Sequence, residues 1–485
     1  MAVPDIRRQV RTPNIDVLAL EGVRFSAAYT QSPVCMPARC SLASGLYPHN
    51  HGFWMNFTGR LFPAEQITMF RDIRNAGYST AKIGKYHFHS LEWGEDYKDY
   101  KDYYDGMGLD WAEELPTPYM GPFLKNEYTE HLKIKGLLDG YIRDIARRFE
   151  KGDTDVVAPS PLPPDDHPDG YVAGKAVEYI KNCPTDKPMF LCVSFPGPHS
   201  PFDAPGDYAT MFDPGDIELL PNVPEKIRRH DQEHLRKIQA NYFGKIAHLD
   251  DRVGQLVDAM KRRGTWDNTQ AIFAADHGDY MGSHGRFGKG GFHDESARVP
   301  LIMRWPGRIP GGRTTDALAE LIDVYPTIID ASGGTVTPHR FGTSLLPVVT
   351  DGKDVHDAVF SEIGHGEHFN YMVRTEQYKW FVHGGREALF DMQQDPYELR
   401  NLIESESHRD VAAEMKARLR DFLMQTQVNF AADYKNLFTR IGLLAPTPGG
   451  MAERLEEMFR QVHSANGTVK NKMKECGLGS NGNKW

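Results

Sequence analysis

The sequence predicts an α/β fold: a large, mostly parallel sheet sandwiched by helices, with a smaller C-terminal domain of antiparallel sheet plus helix. Three observations predict it. The chain has 485 residues, which is more than one hydrophobic core usually fills. Helical segments alternate with short apolar strands, and polar residues follow the strands at least three times. From about Asp354 the pattern changes to short strand-like segments.

The elements of the large domain follow in chain order. Helical patterns predict helices over 17–22, 42–46, 69–76, 171–182, 245–264 and 317–331. Strands are predicted over 23–25, 79–84, 188–195, 271–275 and 300–303. The segment 92–164 is rich in Asp, Tyr, Gly and Pro without clear periodicity, so it is predicted to be a long surface excursion that carries substrate contacts.

The C-terminal pattern predicts an antiparallel sheet, with strands over 358–361, 371–374, 378–382 and 388–391 and a helix over 411–425. The predicted domains are therefore a catalytic α/β domain at 1–353, a small α+β subdomain at 354–427 and a partly helical extension at 428–485. Nothing in the sequence of the extension decides the oligomeric state.

Composition and charge exclude several classes of function. The net charge of −10 is spread without long single-sign runs, which argues against a nucleic-acid or anionic-membrane surface but allows a locally positive pocket. Five cysteines, an odd number, do not suggest a disulfide framework. No apolar run is long enough to span a membrane, and the first residues lack the apolar core of a signal peptide. As written, the protein is expected to be cytoplasmic.

The segment Cys35-Met36-Pro37-Ala38-Arg39 is the strongest local signal. Proline fixes φ and removes a backbone donor, and one helical turn would bring Arg39 back towards Cys35. A thiol beside a fixed cation is a candidate for chemistry, whereas an ordinary free cysteine behaves as a small hydrophobe.

Further polar groups follow the predicted strands, where an open α/β sheet builds its site. They are Lys85, His87, His199, Asp276, His277 and Lys289, which join Arg39. Several cations and donors with one carboxylate suit a tetrahedral oxyanion such as a sulfate or phosphate ester.

These motifs resemble the signature of the type I sulfatases of the alkaline-phosphatase superfamily. Besides 35–39, the similar motifs are Gly84-Lys85-Tyr86-His87, Pro198-His199-Ser200-Pro201-Phe202, Asp276-His277-Gly278-Asp279, Gly288-Lys289-Gly290-Gly291, and Leu389-Phe390-Asp391 with Asp395-Pro396. They stand in the family's order and extend over about 12–427.

The resemblance implies that a maturation enzyme oxidises Cys35 to formylglycine, whose hydrated aldehyde attacks sulfur and releases the alcohol. His87 would then take the proton that allows sulfate to be eliminated. Arg39 and Lys85 would hold the hydrate, and His199 and Lys289 would bind the sulfate and assist the leaving oxygen.

The resemblance also implies that Asp276 and His277 bind one divalent metal. An oxygen-rich shell with one imidazole fits Ca²⁺ first, with Mg²⁺ or Mn²⁺ as alternatives. A zinc site formed by Cys35, Cys40, His49 and His51 is a weaker hypothesis, because the spacing matches no usual zinc finger. A Cys–His hydrolase is a further alternative, but it gives the lysines and Asp276 no role.

The chain departs from the family at its start. Residues 11–14 resemble a segment that, in the family, comes after the first strand. That first strand ends in two acidic residues that bind the metal. Here eleven residues precede Thr12, and their one acid, Asp5, follows no buried strand. The first strand is thus expected to be missing. A start placed downstream of the true one explains this better than a shortened form, because losing a central strand exposes two neighbouring edges. An N-terminal truncation would change the expected location to periplasmic or secreted.

The leading functional hypothesis is hydrolysis of a sulfate monoester, with a small molecule or carbohydrate as substrate. The runner-up is a phosphonate monoester or phosphodiester hydrolase that uses the same chemistry. A third hypothesis, from another class, is a non-catalytic protein that binds sulfated glycans through a defective metal site.

Overall fold

The computed structural model describes residues 9–56, 61–63, 66, 68–89, 96–119, 121–150, 156–227, 231–365 and 368–427. The predicted extension 428–485 and Asp5 lie outside these residues. The strands are β1 Val23–Tyr29, β2 Ser79–Gly84, β3 Trp111–Glu114, β4 Met189–Ser194, β5 Ala271–Ala274, β6 Arg298–Arg304, β7 Arg313–Glu320, β8 Ala358–His365, β9 His368–Thr375, β10 Tyr378–His383 and β11 Arg386–Asp391.

The α-helices in the same residues are α1 Pro13–Leu20, α2 Cys35–Ser44, α3 Pro48–His51, α4 Met69–Asn75, α5 Lys101–Gly106, α6 Glu127–Ile134, α7 Leu138–Glu150, α8 Pro168–Asn182, α9 Gln232–Arg263, α10 Asp294–Ala297, α11 Val324–Ser332, α12 Leu346–Asp351 and α13 Arg409–Gln425. None of the described helices has both the length and the hydropathy needed to cross a bilayer.

Two sheets form the large domain. In one, β2 pairs in parallel with β3 and with β4. In the other, β1 pairs in parallel with β7, while β6 lies between β1 and β5 and is antiparallel to both. The predicted α/β fold is confirmed, but the described strands form two sheets rather than one: the first is parallel, and in the second β6 is antiparallel to both of its neighbours.

Helices cover both faces of the first sheet because its side chains alternate. On β4, Phe190 and Cys192 pack with α2, α4 and α11, whereas Leu191 and Val193 pack with α6, α7 and α8 on the opposite face. This is the predicted sandwich, and it directs the carboxyl ends of the parallel strands to one edge.

Gly84, at the carboxyl end of β2, has a φ of +103°. A Cβ there would lie 2.1 Å from the carbonyl oxygen of Ser194, so the close approach of β4 requires glycine. The next residue, Lys85, donates its backbone N–H to that carbonyl at 2.8 Å. The turn out of β2 therefore fixes the backbone from which Lys85 and His87 extend.

Strands β4 and β5 end the two sheets. No strand among the described residues pairs with the outer edge of either one. Every residue of β4 is only half-buried and Ala274 of β5 is exposed, whereas the last five residues of β2 are buried. The fully buried strand predicted over 188–195 is therefore a half-buried edge strand.

The C-terminal antiparallel sheet is confirmed, in the order β11-β10-β9-β8. Helix α13 packs on it through Ala412 and Met415, which contact Trp380 and Leu389 in one apolar cluster. Strand β8 also adjoins the large domain, where Glu362 donates its backbone N–H to the carbonyl of Gln31 at 2.8 Å.

Several predicted element boundaries were wrong. The helix expected at 42–46 begins at Cys35, because Pro37 lies in its first turn, where the missing N–H costs no hydrogen bond. Helix α1 begins at Pro13 rather than at residue 17 for the same reason. The segment expected as one helix at 317–331 is the end of β7 followed by α11, since a short buried apolar run fits either period.

The surface excursion expected at 92–164 was also wrong in part. The segment contributes β3 to the sheet and contains α5, α6 and α7. Tyr104, Leu132 and Ile145 from these helices are buried. Because the apolar residues are divided among several short elements, no long periodicity marks them in the sequence.

Candidate active site

The site is built around the first residue of α2. Cys35 is buried, and Val34 before it is extended and forms the N-cap of the helix. Asn56 accepts a hydrogen bond from the backbone N–H of Met36 at 2.9 Å. The helix N-terminus thus places the Cys35 side chain among groups from three other segments.

Three of these groups surround the thiol. The distances to Cys35 Sγ are 2.9 Å from Lys289 Nζ, 3.5 Å from Lys85 Nζ and 3.1 Å from His277 Nε2. Burial by itself would raise the pKa of the Cys35 thiol, but the neighbouring Lys85, Lys289 and His277 lower it well below its ordinary value. Residue 35 therefore lies in a strongly electropositive pocket.

Arg39 joins the carboxyl ends of three strands. Its Nε donates to Asp276 Oδ2 at 2.7 Å, and one terminal nitrogen donates to Ser194 Oγ at 2.7 Å and to the carbonyl of Lys85 at 2.6 Å. Burial by itself would raise the pKa of Asp276, but the Arg39 guanidinium helps to hold that pKa well below its usual range. Arg39 is therefore held rigidly one turn after Cys35.

The two candidate histidines lie in the same pocket. Burial lowers the pKa of His87, against a hydrogen bond to Cys35 that raises it. Its backbone has a φ of +58° and donates to Glu114 Oε1 at 3.2 Å. Burial and the ammonium groups of Lys289 and Lys85 lower the pKa of His199 well below its ordinary value.

The residues at the metal position fit part of a shell. Ligand atoms of Cys35, Asp276 and His277 all lie within 4.8 Å of one another. Carboxylate and imidazole donors are suitable for a divalent cation, and an oxygen-bearing residue 35 would add a hard ligand. Arg39 already binds Asp276 Oδ2, so this carboxylate offers mainly its other oxygen.

The zinc hypothesis is wrong for the geometry of the described residues. His49 contacts Glu362 at 2.5 Å, and His51 Nε2 is bonded to Ser41 Oγ at 2.9 Å. Neither histidine shares a group of possible metal ligands with Cys35, and burial raises the pKa of Cys40 well above its ordinary value. A Cys–His contact does exist, between Cys35 and His277, but two lysines share the same sulfur atom.

Sequence reasoning missed three supporting residues: Ser194, Asn56 and Glu114. Ser194 could have been found, because it ends a predicted strand at the edge where the site was expected. Asn56 and Glu114 contact the site only through backbone groups of Met36 and His87, and no sequence signal indicates such contacts.

The assembled groups can stabilise a tetrahedral oxyanion next to residue 35. Lys85 and Lys289 contact the buried residue 35, Arg39 is bonded to the backbone of Lys85 and to Asp276, and His87 and His199 lie in the same pocket. Cations in a water-poor pocket stabilise negative charge far better than they would in water.

The comparisons with known proteins agree with this chemistry. Residues 5–334 match the sulfatase family, and residues 282–425 match the C-terminal family of N-sulphoglucosamine sulphohydrolase. An arylsulfatase of Clostridium perfringens is 29% identical over 432 residues, covering 83% of this chain and 87% of its own. A choline-sulfatase of Rhizobium meliloti is 29% identical over 425 residues, covering 82% of this chain and 78% of its own.

A solved structure has the same fold. The phosphonate monoester hydrolase of Agrobacterium radiobacter superposes with a TM-score of 0.70 at 25% identity, covering 86% of this chain and 92% of its own. The family match spans most of the chain and contains every residue of the electropositive pocket. The chain therefore belongs to the sulfatase family, the sulfuric ester hydrolases of the alkaline-phosphatase superfamily that cleave sulfate monoesters.

Proposed function

We propose that this enzyme hydrolyses sulfate monoesters with a formylglycine made from Cys35, and that the residues of the pocket have the roles given below. The observation that carries the proposal is the convergence of Lys289, Lys85 and His277 on Cys35 Sγ, at 2.9, 3.5 and 3.1 Å. When present, the formylglycine supplies a hydrated aldehyde as the nucleophile and regenerates the aldehyde when sulfate leaves.

Lys289 binds a sulfate oxygen from one side, and Lys85 and Arg39 hold the oxygen atoms on residue 35. Binding of the anionic sulfate ester beside Lys85 and Lys289 favours the imidazolium form of His199, and as the bond from sulfur to the bridging oxygen breaks, this imidazolium gives its Nε2 proton to the departing alcohol. His87, which hydrogen-bonds residue 35, accepts the proton that must leave the second hydroxyl before sulfate is released. Each proton thus has a named donor or acceptor.

Asp276 and His277 hold a divalent cation in this proposal, with Ca²⁺ first and Mg²⁺ or Mn²⁺ as alternatives. Their hard oxygen and single imidazole donors support that choice over zinc. The ion supplies charge withdrawal from the sulfate oxygens and favours the ionised nucleophile.

The substrate class proposed is a sulfated sugar. The match of residues 282–425 to the C-terminal family of N-sulphoglucosamine sulphohydrolase supports it. The names of the two relatives, an arylsulfatase and a choline-sulfatase, make aryl and small alkyl sulfates the necessary comparisons.

The test starts with protein co-expressed with a formylglycine-generating enzyme. Mass spectrometry of the peptide that contains Cys35 should show replacement of the thiol by an aldehyde. Activity with an unchanged cysteine would contradict the mechanism. Values of kcat/KM are then compared for 4-nitrophenyl sulfate, glucosamine 6-sulfate, N-sulfoglucosamine and choline sulfate.

A phosphonate monoester hydrolase remains the second candidate, because the Agrobacterium radiobacter enzyme has this fold. The matched substrates are 4-nitrophenyl sulfate and 4-nitrophenyl phenylphosphonate. The sulfate should be the better substrate. A large preference for the phosphonate would overturn the proposed function, and so would binding of a sulfated glycan without turnover by fully converted protein.

A further inference from the structure

A buried ionic cluster contacts the loop that carries His199. The cluster consists of His167, Asp169, Asp203 and Lys245. Each member is at most 2% exposed. None of these residues was expected at the site from the sequence. They come from the start of α8, from the end of the loop and from the middle of α9.

Lys245 makes the central contacts. Its Nζ donates to the carbonyls of His199 and Pro201 at 2.8 Å each, and to Asp203 Oδ1 at 2.9 Å. All three donor positions of the ammonium group are thus used on one loop. The backbone carbonyl of His199 itself is one of the acceptors, so Lys245 directly fixes the residue that faces the pocket.

Asp169 holds the start of the loop. Its Oδ1 accepts the backbone N–H of Gly197 at 2.8 Å. A Cβ on Gly197 would lie 2.5 Å from Asp169 Oδ2, so the backbone approaches the carboxylate as closely as only glycine permits.

His167 connects the two carboxylates. Its Nδ1 lies 3.4 Å from Asp169 Oδ2 and its Nε2 lies 3.6 Å from Asp203 Oδ1. Burial opposes protonation, but both carboxylates raise the pKa of His167. Burial likewise opposes ionisation of Asp203, yet Lys245 and His167 lower its pKa to about 2. With His167 protonated, the cluster contains two cations and two anions.

The orientation of the His199 ring follows from this backbone. His199 Nδ1 lies 2.6 Å from the carbonyl of Ser200, to which it donates. That hydrogen bond leaves Nε2 as the nitrogen available to a substrate, and the imidazolium form that a bound sulfate anion favours carries the transferable proton there. Because His199 and Ser200 both belong to the loop whose backbone Lys245 and Asp169 bind, the position of Nε2 depends on Lys245 and Asp169.

A cluster of this kind is not explained by stability alone. Buried ion pairs recover little more than the cost of removing their charges from water, and apolar replacements are often as stable. Here all three hydrogen bonds of the Lys245 ammonium group end on the loop 199–203. We infer that the cluster is kept, despite the free-energy cost of removing its charges from water, because it fixes the geometry of that loop.

We propose that Lys245, with Asp203, Asp169 and His167, positions His199 so that its Nε2 meets the leaving oxygen of the substrate. The proposal rests on the proposed role of His199 in protonating that oxygen. These four are positioning residues, since none of them touches the reacting atoms.

The test exploits leaving groups of different basicity. A poor leaving group, such as a sugar or alkyl alcohol, needs the proton from His199, whereas 4-nitrophenolate leaves without it. The variant Lys245→Met should therefore lower kcat/KM for glucosamine 6-sulfate about tenfold more than for 4-nitrophenyl sulfate. A loss of general structure would lower both values equally.

The matched control is Lys237→Met, which removes a half-exposed lysine on the same helix that forms an ion pair with Glu233. It should change neither substrate's kcat/KM. Since Lys245→Met removes the nearer of the two cations beside Asp203 and could fail to fold, the variant Lys245→Met/Asp203→Asn, which removes one positive and one negative charge together, is measured beside it.

A double-mutant cycle completes the test. Adding Lys245→Met to His199→Ala should not change the ratio of the two kcat/KM values any further, because the positioned group is already absent. An equal loss on both substrates, or a ratio change that persists without His199, would overturn the positioning role alone. Absence of any sulfate ester turnover by converted wild-type protein would overturn the proposed function, and this inference with it.

Discussion

The two halves of the active site differ in how they are enclosed. In the cationic half, Lys85 follows β2, whose two edges both pair with other strands. Lys289, the other cation of this half, lies further along the loop after β5. The carboxylate half, with Asp276 and His277, follows β5, whose outer edge pairs with no described strand. Arg39 joins the halves, because it donates hydrogen bonds to the carbonyl of Lys85 and to Asp276.

The difference indicates how far the described residues alone assemble each half. Lys85 is 3% exposed, and its backbone is fixed by the turn at Gly84 and by the carbonyl of Ser194, all within the described strands. Asp276 and His277 offer only part of a metal shell, and Arg39 already uses one carboxylate oxygen. Oxyanion binding and metal binding should therefore respond differently to substitution.

The largest effect is expected at the residue that both halves share. Cys35→Ala removes the precursor of the nucleophile, so kcat should fall by on the order of 10⁴-fold or more. The control is Cys40→Ala, which truncates another buried cysteine of α2 and should keep most of the activity. Steady-state kinetics on 4-nitrophenyl sulfate measures both. Comparable activity of Cys35→Ala and wild type would remove residue 35 from the chemistry.

The cationic half is tested by Lys289→Ala. Removing one preorganised charge from an oxyanion site should lower kcat/KM by about 10²- to 10³-fold, and added metal should not restore it. Lys353→Ala, at a lysine whose side chain is 73% exposed, is the matched control. If metal titration rescued Lys289→Ala, the two halves would not be separable.

The carboxylate half is tested by Asp276→Asn. Weaker metal binding and the lost ion pair to Arg39 should lower kcat/KM by about 100-fold, and raising the metal concentration should recover part of that loss. Chelation of wild-type enzyme should likewise reduce activity, with recovery measured separately for Ca²⁺, Mg²⁺ and Mn²⁺. Activity that is insensitive to both treatments would contradict a metal at Asp276 and His277.

The smallest effect is expected in stability, at the ion pair that follows the carboxyl end of β7. His356 Nε2 lies 2.9 Å from Asp323 Oδ2, and although burial opposes it, that hydrogen bond raises the pKa of His356 from 6.5 to about 9. A raised pKa stabilises the fold fully below pH 6.5 and loses that contribution as pH rises through 9. His356→Gln should thus lower the free energy of unfolding by about 2 kcal/mol at pH 6.

The matching measurement is urea unfolding of wild type and His356→Gln at pH 6 and pH 10. The difference between the two proteins should shrink at the higher pH, because the wild type then loses the imidazolium as well. A difference that stays constant across this range would mean that the protonated histidine contributes nothing.

The sequence predicted much of the fold because its local signals agree with the tertiary context. The strand expected at 79–84 has those bounds, and the four C-terminal strands lie where alternation placed them. The errors lie where one pattern serves two structures. Residues 317–320 fit a helix by period, yet they form the buried end of β7.

The sequence by itself determined the family, the α/β order of the elements and the identity of the polar groups that follow the strands. Motif spacing carries that information because each motif is local. Only the tertiary structure decided that Lys289 lies 2.9 Å from Cys35 across 254 residues of chain, and that Lys245 holds the carbonyl of His199. Such contacts depend on the packing of strands and helices far apart in sequence, and no local periodicity records them.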